Sequence, residues 1–136
     1  MSNEEIRVLA RQVIEAFNSG DIESLKECFT HDFVWHFSST TTMNKEQFLA
    51  FTHSIKEPFP DFALTIEDIV AENDKVLMRL VVTGTHQGVF QGLAPTHKRF
   101  RIIGFGQYNV TDGKIAEGWE LLDELGELHQ LGILPA

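Results

Sequence analysis

The final third of the chain constrains the fold most. Val76 to His86 reads as one long strand and Lys98 to Thr111 as another, joined by a loop, Gln87 to His97, marked by Gly88, Gly92 and Pro95. Asp112-Gly113 is a hairpin-turn signal, and Lys114 to about Asp123 is a third strand. Strands of ten or more residues are about twice the usual length, and a sheet made of them must twist and curl. Gly104 and Gly106 interrupt the second of these strands, which marks a bend or a close backbone approach.

Helices come first. Ser2-x-x-Glu5 is a capping box, followed by Ile6, Leu9, Ala10, Val13, Ile14 and Phe17 at helical spacing, with Gly20 suited to a left-handed cap. Asp21 can cap a short helix whose apolar side is Ile22, Leu25, Cys28 and Phe29. Phe33 to Phe37 predicts a short strand. Asn44-x-x-Gln47 opens a third helix, through Phe48, Leu49, Phe51, Thr52 and Ile55, which Pro58 and Pro60 end. Phe62, Leu64 and Ile66 alternate as a strand, and the phase shifts before Ile69-Val70, which predicts a bulge. Helices followed by antiparallel strands define an α+β domain spanning 1–136, in which a curled sheet wraps a helix layer as a cone.

Composition narrows the function. The net charge is -9, and only Lys98, Arg99 and Arg101 cluster among the basic residues, so neither nucleic acid nor an anionic membrane surface is an expected partner. The single cysteine, Cys28, permits no intrachain disulfide and reads as a small core residue. No signal peptide and no membrane-length apolar run are visible, so a cytoplasmic setting is expected. There is no His-x-x-x-His or Cys-x-x-Cys pair, no Gly-x-Ser-x-Gly and no phosphate-cradling glycine motif. No metal and no cofactor are expected.

The candidate catalytic groups are Asp123, His36 and His86. If the last strand alternates regularly, Trp119, Leu121 and Asp123 share a face. A carboxyl beside indole and aliphatic groups is desolvated, which raises its pKa and suits acid/base work. The competing reading is a solvated acid at a strand end, beside Glu124. His36, between Trp35 and Phe37, and His86, at a strand end, could orient a carbonyl or be packed core histidines. Eleven phenylalanines exceed a minimal core. They could line a pocket or fill the core and a dimer face. Trp35, Phe51, Phe90, Tyr108 and Trp119 are the candidate ligand-binding walls, and the expected ligand is a small apolar molecule.

Several motifs together are similar to the SnoaL-like polyketide cyclase family of the NTF2-like superfamily: Gly-Thr-His-Gln-Gly from Gly84, Gly-Leu-Ala-Pro-Thr from Gly92, Asp-Gly-Lys-Ile from Asp112, Trp119-x-x-x-Asp123 and Gln130-Leu131-Gly132. Glu15 to Asp21 matches a weaker pattern among the helices. The resemblance implies a curved antiparallel sheet on three N-terminal helices, a conical cavity and a homodimer through the sheet's outer face. It also implies cofactor-free acid/base chemistry by an acid at Asp123 in an intramolecular aldol closure. The chain departs from the family at three positions. Gly106 stands where cyclases place a strand histidine, His36 where they carry asparagine, and His97 where they carry glycine. A ketosteroid-isomerase-like site fits less well, because the one tyrosine, Tyr108, lies in a strand.

The leading expectation is an enzyme that moves a proton next to a carbonyl, as in aldol cyclisation or isomerisation. Asp123 would be the acid/base, with the two histidines orienting the carbonyl. The alternatives are a non-catalytic ligand-binding or interaction dimer and a scaffold with a filled cavity.

Overall fold

A computed structural model describes residues 1–134. Helix α1 (Asn3–Ser19) starts at the expected capping box. The Ser2 hydroxyl accepts from the Glu5 N–H at 3.1 Å, and the Glu5 carboxylate accepts from the Ser2 N–H at 2.8 Å. Its predicted apolar stripe is buried from Ile6 to Ile14 and half-buried at Phe17, and Gly20 caps it at φ 73°. Helix α2 (Ile22–Glu27) follows, capped by Asp21, and α3 (Lys45–Ser54) opens on the Asn44/Gln47 box. Cys28 is the C-cap of α2, where burial pushes its thiol pKa up.

The strands are β1 (Phe29–Phe37), β2 (Thr41–Asn44), β3 (Ala63–Glu72), β4 (Lys75–Thr85), β5 (Arg99–Thr111) and β6 (Lys114–Leu122). They form one sheet in the order β2-β1-β6-β5-β4-β3. The sheet is antiparallel except at one pairing, where β1 and β6 run parallel. The chain can close the sheet this way because the segment from β2 through β5 supplies the long return that a parallel pairing needs. The β3 bulge falls between Ile66 and Asp68. A second register shift, between Asn109 and Val110, bends the β5–β6 hairpin.

Three features differ from the sequence reading. Strand β1 begins four residues earlier than Phe33, because Phe29 pairs with Ile115 across the chain. The polar run Thr41–Asn44 is a short edge strand, held by pairing to β1 that no local pattern reveals. A fourth helix, α4 (Glu124–Gln130), follows β6. The helices α1–α3 and the inward sheet face enclose a core that includes Phe29, Phe33, Trp35, Phe48, Phe62, Phe100 and Ile115.

Candidate active site

Between the helices and the sheet lies a cavity of about 150 Å³. Its wall is largely aromatic. Trp35 and Phe37 come from β1, Phe48 and Phe51 from α3, Phe17 from α1, and Phe62 precedes β3. The rings interlock, with centroids 4.9 Å apart for Trp35 and Phe48 and 5.8 Å for Phe17 and Phe62. Tyr108 of β5 and Glu120 of β6 supply polar groups from the sheet. The exposed Gln91 and Glu124, with half-buried Glu127, mark the rim.

The face that each strand turns inward decides this composition. On β5 the buried residues are Phe100, Ile102, Gly104, Gly106, Tyr108 and Val110. The ladder sets Gly106 opposite Glu120 and Tyr108 opposite Gly118, so Gly118, Glu120 and Leu122 also face in. Gly118 gives the phenol ring its place: a Cβ there would lie 3.0 Å from Tyr108 Cδ1. Burial pushes the Glu120 carboxyl up to about 7, with neither a hydrogen bond nor a cation among the described residues to offset it. Burial also raises the Tyr108 phenol pKa, with the Glu120 charge adding to it, so Tyr108 keeps its proton as a donor. At the rim, burial and then Glu124 raise the Glu127 carboxyl to about 7.

The sequence-predicted residues divide. Trp35, Phe51, Phe90 and Tyr108 line the cavity. Trp119 does not. Its side chain is on the opposite sheet face, stacked on His36 with centroids 5.1 Å apart and planes 15° from parallel. His36 shares that face and bonds Glu117 at 2.6 Å. Asp123 is also outside the cavity: it is exposed, and its carboxylate caps α4 by accepting the Gly126 N–H at 3.0 Å. Trp119 and Leu121 do share a face of β6, but it is the outward one, and Asp123 follows the strand as the α4 cap.

His86 is fully buried, yet it is not among the cavity-lining residues. Its Nδ1 accepts the Thr96 N–H at 3.2 Å, which puts the proton of the neutral ring on Nε2. Nε2 is buried without a partner among the described residues, against Phe59 and Phe90. Glu120 is the residue that the sequence reading missed. The sequence carries no signal for it, because the register shift between Asn109 and Val110 decides which β6 residue stands opposite Gly106. Among the described residues no three His, Cys, Asp or Glu side chains converge as a metal site. Among the described residues no helix is long and apolar enough to cross a membrane.

This fold is that of an NTF2-like α+β domain. Residues 7–131 match the model of the SnoaL-like polyketide cyclases, and the chain belongs to that family. It is 28% identical over 128 residues to aklanonic acid methyl ester cyclase DauD of Streptomyces sp. (strain C5), covering 91% of this chain and 80% of that one. Its structure is similar to wild-type IdmH, a putative polyketide cyclase from Streptomyces antibioticus, with TM-score 0.87 and 34% identity over 93% of this chain and 98% of that one. It is likewise similar to AclR, a putative hydroxylase from Streptomyces galilaeus, with TM-score 0.89 and 29% identity over 99% and 85% of the two chains.

Proposed function

We propose that the protein is a cofactor-free acid/base enzyme acting on a small apolar carbonyl compound, with Glu120 as the group that moves the proton. One observation carries this reading. A carboxyl with pKa about 7 faces an aromatic cavity that also contains a phenol. A base with that pKa is substantially ionised at neutral pH and still strong enough to take an α-proton. The Glu120 carboxylate removes the proton and the electron pair moves onto the carbonyl oxygen. The Tyr108 O–H donates to that enolate oxygen, and a donor fixed in a dry site stabilises developing charge best. In aldol cyclisation the enolate carbon then bonds a second carbonyl of the same molecule, whose oxygen takes the proton back from Glu120. In isomerisation Glu120 returns the proton to a different carbon. The cyclase relatives and family membership support the first course.

A second reading keeps the pocket without turnover. It is favoured by Gly106, which leaves Glu120 without the imidazole implied by the family resemblance. Exchange of the acetophenone methyl protons in D2O, followed by NMR, tests the two. Glu120→Gln should slow protein-catalysed exchange by roughly 10²–10⁴-fold, the scale of lost general-base help. Equal rates in the wild type and Glu120→Gln would favour the binding protein.

A further inference from the structure

We infer that the cavity selects a non-anionic ligand the size of a single ring, and that Phe90, on a tied-down loop, sets the size limit. The carbonyl on that ligand rests on the function proposed above; the size and charge limits rest on the cavity alone.

The volume comes first. An apolar protein cavity of about 150 Å³ holds one benzene ring, and this cavity is about 150 Å³. A fused-ring ligand seated wholly inside it therefore needs a wall to move. The α3 and β1 walls resist, because Trp35 packs at once on Phe37, Phe48 and Phe51. Displacing one ring disturbs the others, and close-packed interiors yield poorly to such strain.

The loop between β4 and β5 contributes another wall, through Phe90 and Gln91, and it is fastened at several points. The Gln87 and Gly88 N–H groups donate to the Pro58 carbonyl at 2.9 and 3.1 Å. Gly88 lies so close to the segment after α3 that a Cβ would come 2.5 Å from the Glu57 carbonyl oxygen. Phe90 and Leu93 exchange backbone hydrogen bonds at 3.0 and 2.9 Å around Gln91 and Gly92, both at positive φ. Phe90 then lies edge-on to Phe59, with centroids 5.0 Å apart, and lines the cavity. The buried His86–Thr96 hydrogen bonds brace the loop from behind.

Charge supplies the second limit. Glu120, Glu124 and Glu127 line the cavity and its rim, and no Lys, Arg or His does. A ligand carboxylate would enter a low-dielectric space without a cationic partner and beside other carboxylates, which is costly on both counts.

The test is equilibrium binding by saturation-transfer NMR and thermal shift, using acetophenone, 2-acetylnaphthalene and benzoate. The wild type should bind acetophenone at least tenfold more tightly than 2-acetylnaphthalene, with benzoate undetected. Phe90→Ala should abolish or reverse the first preference and still exclude benzoate. Gly88→Ala, which unseats the loop without altering the wall, should weaken the preference. Glu120→Gln should keep the ring-size preference even where it loses proton exchange, so the two proposals fail separately. Equal or tighter wild-type binding of 2-acetylnaphthalene, measurable binding of benzoate, or no binding of acetophenone would each overturn the inference.

Discussion

Glu120 stands opposite Gly106 across the β5–β6 ladder, and the Glu120 side chain lines the cavity. A Cβ built on Gly106 meets only ordinary contacts, at 3.6 Å from Met78 Cε and the Trp119 carbonyl oxygen. The position has room for a side chain. Gly106→His should fold and set an imidazole beside the carboxyl. A donor or cation there favours the ionised form, so the Glu120 pKa should fall below about 7, measurable by carbon NMR of the side-chain carboxyl.

The pH dependence of exchange follows from the same group. The rate should rise as Glu120 loses its proton and level off above about pH 7. Tyr108, its pKa raised by burial, imposes no falling limb near neutrality. A rate–pH profile centred near the ordinary carboxylate range would contradict the assignment.

Stability should show the opposite slope. Glu120 and Glu127 have folded-state pKa values of about 7 against 4.5 unperturbed, so between these values the folded chain binds more protons than the unfolded one. Their contribution is fully present below pH 4.5 and is lost as pH rises through about 7. Above pH 7, Glu120→Gln should melt several degrees higher than the wild type in a thermal scan, and at pH 4 the difference should nearly vanish. A lower melting temperature for the variant at high pH would show that the carboxylate is better paired than its surroundings indicate.

The outer sheet face carries a different expectation. Ile103, Phe105 and Leu121 lie there at 50%, 54% and 58% exposure, with Val70 and Leu77 on the neighbouring strands. We expect a homodimer to cover them, since apolar patches of this kind mark interaction surfaces. Sedimentation at micromolar concentration should give twice the chain mass, and Phe105→Asp should reduce it to one chain. A wild-type monomer would count against the expectation.

Most of the fold was legible from sequence because its signals are local. The capping residues Ser2, Asp21 and Asn44 fix helix starts, and Asp112-Gly113 adopts the expected turn, with φ of 52° and 78°. The inward face of β6 was not legible. Counting back from the turn without a bulge pairs Gly106 with Trp119 and sends Trp119, Leu121 and Asp123 inward. The bulge between Asn109 and Val110 moves the partner of Gly106 to Glu120, and one residue of slip exchanges the two faces. Hydrophobicity could not flag the error, because Trp119 and Leu121 make the outer face apolar too. Strand β2 and the outward-facing His36 were missed or misplaced for a related reason: their positions depend on pairing to β1 and β6, which no window of local sequence contains.

Asp123 should be a structural residue only. Asp123→Ala removes the α4 cap and should cost about 1 kcal/mol in denaturant unfolding, while Asp123→Asn keeps a side-chain acceptor and should cost far less. A large loss from Asp123→Asn would mean that the charge, not the cap, is what matters.

The choice between the two carboxyls is the most direct test. Acetophenone exchange in D2O at pH 8 should be compared for the wild type, Glu120→Gln and Asp123→Asn in one series. We predict that Asp123→Asn exchanges within about twofold of the wild type while Glu120→Gln falls by roughly 10²–10⁴-fold. Exchange lost in Asp123→Asn and retained in Glu120→Gln would contradict the account.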